Sequence, residues 1–277
     1  MPRDLADVLH HFIPEPDVDG SEAPSRSAQR PSPRVPRNAT AQAALPIVGV
    51  PIGDRDVVRA AFTWNLAAEA ARTGARAVVV APAADVASAL WPEESTGPMG
   101  VNVVLAPADD LAQLYRHALE VAKAPPPAGL GLEQGGLVFV RIPPLWLRSP
   151  GDAAARLRWI LLFTSSEGQD LLESYGIAKL LQRMAPSVRL GITVHGAHRQ
   201  GDAETAFSRL AEAAARRLGL SLTSYGRLVD DLHVYQAIVA QRPIGTVHPQ
   251  SPAARSMGDV AQLLLADALE QAETGDA

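Results

Sequence analysis

From residue 45 onward, short apolar runs alternate with stretches that carry a helical repeat, and this alternation limits the possible folds more than any other feature. The runs fall at residues 45–50, 75–80, 101–105, 137–142, 159–164, 188–194 and 220–225. Apolar residues recurring every three to four positions predict helices over 57–72, 109–123, 170–184, 202–218, 229–241 and 251–273. Gly74 stands where the first of these should stop. Strands that are apolar on both faces need helices on both faces. The pattern therefore predicts an α/β fold of three layers (α/β/α), with a mostly parallel, twisted sheet of about seven strands. Crossovers should be right-handed, and a ligand should lie at the carboxyl ends of the strands.

The first 44 residues read differently. Leu5, Val8, Leu9, Phe12 and Ile13 form one stripe of a short amphipathic helix over residues 1–13, which Pro14 and Pro16 end. Residues 14–44 are rich in Pro, Ser and Arg, including Arg26, Arg30, Arg34 and Arg37, and read as a disordered tether. The domain proper is expected over 45–277. A tethered helix cannot bury its own stripe, so it either folds back on the domain or docks on a partner. Asp4 and Asp7 on its polar side argue against an anionic lipid surface. His10 and His11, adjacent and on different faces, read as surface residues.

Charge and composition remove several functions. With 25 Lys+Arg against 30 Asp+Glu and 47% apolar residues, the chain is globular and unsuited to holding nucleic acid. It has no cysteine, which excludes disulfides, thiol nucleophiles and cysteine-ligated metals. No run of about 18 uncharged apolar residues and no signal-like leader is present, so a cytoplasmic location is expected. Lys123 and Lys179 are the only lysines and each follows an alanine. Without a Gly-Lys pair, a standard phosphate-binding loop cannot be built.

Three stretches are more specific. Ile47-Val48-Gly49-Val50 is followed by Trp64-Asn65-Leu66-Ala67-Ala68-Glu69-Ala70-Ala71-Arg72-Thr73-Gly74 and a second apolar run ending at Val80. Ile160 to Glu167 leads to Tyr175-Gly176-Ile177-Ala178-Lys179. Ser224-Tyr225-Gly226-Arg227-Leu228-Val229-Asp230-Asp231 precedes Gln241-Arg242-Pro243-Ile244 and Pro249-Gln250-Ser251-Pro252-Ala253-Ala254. Together they resemble the MinD/ParA family of deviant Walker A ATPases, most closely its FlhG-like branch, over about residues 45–265. The resemblance implies a P-loop NTPase-like domain and, in active members, nucleotide-sandwiched dimers that use ATP turnover to position cellular machines.

The departures from that family fall on its nucleotide chemistry. The segment aligned with its phosphate loop is Gly53-Asp54-Arg55-Asp56-Val57-Val58-Arg59-Ala60-Ala61. A phosphate cradle needs glycines whose amides approach the oxygens, a lysine for the β/γ charge and a hydroxyl for Mg²⁺. Only Gly53 survives. Asp54 replaces the signature lysine, Arg59 keeps the charge of the other, and Ala60 offers no metal ligand. The acidic end of the second strand corresponds to Ala81 or Ala83, and Arg141 stands where the family has its Walker B-like aspartate. The adenine-contacting position corresponds to His195.

Gly53, Arg55, Arg59, Arg141 and His195 are therefore the candidate residues of a degenerate nucleotide site, with ATP and Mg²⁺ the ligands it would take if any. His195 and His198 lack a third metal ligand. Ser165-Ser166-Glu167 reads as a strand-to-helix turn with Ser as N-cap, and the Gly129 to Gly131 region as a linker. The acidic end of the chain lacks the basic membrane-targeting helix of the MinD branch.

The sequence thus leads to the expectation of a non-catalytic, MinD/ParA/FlhG-like pseudo-ATPase that regulates or scaffolds a cellular machine through protein contacts. No bound cofactor and no metal are expected. Leu5, Val8, Leu9, Phe12 and Ile13 are its docking residues. An active paralogue, or a GTPase or synthase of a cell-surface machine, is its partner, which would recruit the cytoplasmic chain to the inner membrane. A homodimer and an ATP switch rebuilt around Arg55 and Arg59 are the alternatives.

Overall fold

The alternation of strands and helices closes into one parallel sheet in a computed structural model, which describes residues 44–53, 55–83, 102–125, 135–197 and 199–274. Its strands are β1 (Ile47–Pro51), β2 (Arg76–Pro82), β3 (Asn102–Ala106), β4 (Gly136–Ile142), β5 (Trp159–Ser165), β6 (Arg189–His195) and β7 (Leu222–Leu228). They lie in the order β3-β2-β4-β1-β5-β6-β7. Every pairing is parallel, which extends the expected "mostly parallel" sheet to all its described members. Parallel neighbours need long crossovers. These are supplied by α1 (Val57–Arg72), α2 (Leu111–Lys123), α3 (Gly168–Met184) and α4 (Gln200–Leu218), while α5 (Leu232–Val239), α6 (Ile244–Val247) and α7 (Pro252–Thr274) follow β7.

Period-two alternation sorts the strand side chains into two cores. Leu137 and Phe139 of β4 and Trp159, Leu161 and Phe163 of β5 join the core built with α1 and α7. Their neighbours Val138, Val140, Ile142, Ile160 and Leu162 join the core built with α2, α3 and α4. Helix α1 is buried almost all round, from Arg59 to Ala70. Its alanines let it approach both the sheet and α7, while Phe62 and Leu66 each supply about 2 kcal/mol of burial. Asp56 caps its start, and Gly74, at φ 90, lets the chain turn away at its end.

Long-range contacts fix how the elements sit. The Asn65 amide donates to the Ala61 carbonyl (2.8 Å) while its oxygen accepts from the Ile244 N–H (2.7 Å), pinning α6 to α1. Gly245 packs so closely on the buried Glu69 that an added Cβ would lie 1.8 Å from Glu69 Oε1. At the amino edge of the sheet, Tyr225 donates to Asp267 (2.5 Å), Arg189 donates to the same carboxylate, and the Arg189 guanidinium lies 5.0 Å from the Trp159 ring centroid. Among the described residues, no helix is long and apolar enough to cross a membrane.

Three expectations need correcting. The helix expected over 229–241 is only Leu232–Val239. Asp231 caps it late by accepting from the His233 N–H, and Gln241, at φ 51 ahead of Pro243, breaks it early. The last strand, expected over 220–225, runs over Leu222–Leu228, continuing past the irregularity between Ile192 and Val194 of its partner. Two 3₁₀ segments, Pro144–Arg148 and Gly151–Arg156, went unforeseen because their proline and glycine punctuation read as plain loop. The expected docking stripe Leu5, Val8, Leu9, Phe12 and Ile13, the tether up to residue 43 and the linker around Gly129 lie outside the described residues.

Candidate functional site

The carboxyl ends of β1, β4, β5 and β6 converge at the start of α1. Parallel strands order the loops there, and the amino end of α1 would present free N–H groups to an anion if nothing else used them. Here they are used. The Asp56 N–H donates to the Gly53 carbonyl (3.1 Å), Val57 N–H to the Arg55 carbonyl (3.1 Å) and Ala60 N–H to the Asp56 carbonyl (3.2 Å). Arg59 N–H donates to the Asp56 carboxylate (3.0 Å). The same Asp56 side chain pairs with the Arg59 guanidinium at 3.2 Å. An internal carboxylate thus takes both the helix terminus and the cation that a phosphate would need.

Arg59 is enclosed further. Its guanidinium, with a side chain only 11% exposed, also lies 3.4 Å from Asp170 and 3.2 Å from Glu173, both on α3. Arg141, fully buried at the end of β4, donates from Nη2 to the Gly53 carbonyl (2.9 Å) and so crosses beneath the loop. Arg55 is exposed on the loop. His195, at the end of β6, sits 5.4 Å from the Phe62 ring and 4.0 Å from Asp170. Its Nε2 is buried without a hydrogen-bond partner among the described residues. Burial and then the Arg59 charge lower its pKa, against the pull of Asp170, Asp230 and Asp56, so its neutral form is favoured. Asp230 accepts from the Tyr235 hydroxyl (3.1 Å) on the far side of this cluster.

The structure therefore brings Gly53, Arg59, Arg141 and His195 into one neighbourhood and leaves Arg55 at its rim. Asp54 and His198 lie outside the described residues. What the sequence reading missed as site residues is Asp170, Glu173 and Asp230, more than a hundred residues from Arg59; Asp230 lies in the third stretch that carries the resemblance, but Asp170 and Glu173 lie in none. The one available signal was that Asp170 opens a helix after a strand, where carboxylates face the strand ends. Ser165 is not an N-cap. Its Oγ accepts from the Glu167 N–H (3.1 Å), and Glu167 takes the cap position without a side-chain hydrogen bond.

These residues do not fit a triphosphate with Mg²⁺. The amides of residues 56, 57, 59 and 60 are spent within the loop, and the residue at the metal-ligand position is the buried Ala60. Three carboxylates, Asp56, Asp170 and Glu173, surround the guanidinium of Arg59, and with them in place a polyanion would be repelled. Among the described residues, no group of three or more His, Asp or Glu is placed to hold a metal ion.

A seven-stranded parallel sheet, helices on both faces and a strand-to-helix loop at its centre define a P-loop NTPase-like three-layer domain. Within that class the fold is of MinD/ParA type. The chain is similar to MinD in the MinC:MinD cell division protein complex of Aquifex aeolicus, with a TM-score of 0.55 and 14% identity over 80% of this chain and 96% of that one. It is similar to the cell division ATPase MinD of Pyrococcus furiosus, at 0.50 and 15% over 79% and 98%. It is also similar to the septum site-determining protein MinD complexed with Mg-ADP from Pyrococcus horikoshii, at 0.50 and 14% over 79% and 95%. No family model matches the chain, and no curated protein matches it.

Proposed function

We propose that this chain is a non-catalytic MinD/ParA/FlhG-like protein, a pseudo-ATPase that regulates or scaffolds a cellular machine through protein contacts. One observation carries the reading: the Asp56 carboxylate occupies the amino end of α1 and pairs with Arg59, so the fold supplies its own anion where a nucleotide phosphate would bind. Related folds give the reading its context. One solved neighbour is an ATPase, one holds Mg-ADP and one is in complex with a protein partner, MinC. A chain that keeps the fold without the phosphate chemistry retains the last of these uses. Its partner is an active paralogue, or a GTPase or synthase of a cell-surface machine, and that partner brings the chain to the inner membrane.

Thermal unfolding of the full chain with and without millimolar Mg-ATP or Mg-ADP tests the proposal. A nucleotide at a hundredfold its dissociation constant would stabilise the native state by about 2.7 kcal/mol. At roughly 2–4 °C per kcal/mol for a domain of this size, melting would rise by roughly 5–10 °C. An unchanged curve is expected. A rise that disappears in Arg59→Ala would overturn the proposal in favour of a rebuilt ATP switch.

A further inference from the structure

Helices α1 and α3 cover opposite faces of the sheet. The buried residues of α1 join the core shared with α7, and Ala178 and Leu181 of α3 join the other. Arg59, in the first turn of α1, nevertheless reaches Asp170 (3.4 Å) and Glu173 (3.2 Å) near the start of α3. These ion pairs therefore cross the carboxyl edge of the sheet, beside the ends of the neighbouring strands β1 and β5. They hold the two layers together where a parallel sheet leaves a crevice.

This tie has a titratable neighbour. Its Asp170 half ends on a single carboxylate oxygen: Arg59 Nη2 lies 3.4 Å from Oδ2, and His195 Nε2 lies 4.0 Å from the same atom. Nε2 is buried without a hydrogen-bond partner among the described residues. A neutral imidazole brings no charge to the shared oxygen, whereas an imidazolium would donate to it and repel the guanidinium beside it. Facing His195 are Arg59 and Asp56 from α1 and its loop, Asp170 from α3, Asp230 from beyond β7 and the Phe62 ring. Asp230 accepts from Tyr235 on one oxygen and keeps the other buried without a partner among the described residues, so it is the competing acceptor.

We infer that Arg59, Asp170 and Glu173 form a tie across the carboxyl edge of the sheet and that a proton on His195 undoes its Asp170 half, drawing Asp170 to β6 and loosening the first turn of α1. The start of α3 stays held, now through Asp170 on His195. Asp56 and Glu173 still pair with Arg59, so the change is a local opening and leaves the fold in place. Burial and the Arg59 charge keep the imidazole neutral, so the tie is closed at neutral pH and gives way only below the ordinary histidine value of 6.5. The inference stands apart from the pseudo-ATPase reading, since every group in it belongs to the chain.

Hydrogen exchange of the full chain without nucleotide, followed by mass spectrometry and corrected for the intrinsic effect of pH on amide exchange, tests it. From about pH 7.5 to about 5, protection over residues 55–60 should fall at least about fivefold, the low end of ordinary coupling between two sites. Protection over residues 168–174 and 47–51 should fall less. His195→Gln should remove the fall, and His117→Gln, on α2, should keep it. An equal fall in His195→Gln would overturn the inference by placing the proton elsewhere. So would an equal fall over all three segments, which would be a loosening of the whole domain. NMR of the unsubstituted chain keeps the test decisive even where His195→Gln does not fold. The Asp170 carboxyl carbon should titrate with the midpoint of the His195 ring, and a ring titration that moves the Asp230 carbon alone would overturn the inference as well.

Discussion

Replacing Arg59 with methionine separates the two uses of a cation at this position. Methionine keeps an unbranched stem and good helix propensity, so the change removes the guanidinium and little else. Three carboxylates within 3.2–3.4 Å lose their counter-charge at once. Removing one partner of a fully buried pair costs about 3–5 kcal/mol, whereas an exposed pair is worth about 0–1 kcal/mol. Arg59 is 11% exposed, but Asp56, Asp170 and Glu173 are 30%, 26% and 47% exposed, so solvent screening places the cost between these limits. We expect about 2 kcal/mol, or roughly 4–8 °C in melting temperature by fluorimetry near neutral pH. Adding Asp170→Asn and Glu173→Gln should return part of the loss, because the carboxylates that would repel one another are gone. The His195 ring, freed of the Arg59 charge that lowers its pKa, should titrate at higher pH by NMR. Melting of Arg59→Met within about 1 °C of wild type would refute the claim that Arg59 serves as an internal structural cation.

Other consequences are open to direct measurement. Gly245→Ala drives a Cβ to within 1.8 Å of Glu69 Oε1, and urea unfolding should show a loss of about 1–3 kcal/mol. Asn65→Ala leaves the buried Ile244 N–H without its acceptor and should cost about 1–3 kcal/mol, with faster amide exchange at Ile244. The pKa of His195 is lower in the folded than in the unfolded state. As pH falls below the ordinary value of 6.5, the unfolded chain therefore takes up the proton first and stability declines until the folded pKa is passed. Urea midpoints measured from pH 7.5 to about 5 should fall, and less so in His195→Gln.

The layered fold was legible in the chain because it follows from local pattern. Residues 137–140 and 159–163 are apolar at successive positions, which a strand covered on both faces satisfies, and the helical spacing between runs supplies the covers. The ends were less legible. Helix α5 stops short of 241 through a left-handed Gln241, a conformation no local propensity favours. The residue types around Gly53, Asp56 and Arg59 were legible, since a glycine or a lysine either stands at a position or does not.

The contacts these residues make were not visible. Asp170 and Glu173 reach Arg59 because β5 lies beside β1 in the sheet, and Arg141 reaches the Gly53 carbonyl because β4 lies on its other side. Strand order comes from how the crossovers close over the whole domain, so ion pairs across it have no trace in spacing along the chain. The sequence by itself determined the strands and the main helices and which residue types stand at the first strand-to-helix loop, because both depend on residue type and near neighbours. Only the tertiary structure decided that Asp170 and Glu173 close on Arg59 and that Arg141 meets the Gly53 carbonyl, because those contacts depend on segments brought together by the order of the strands.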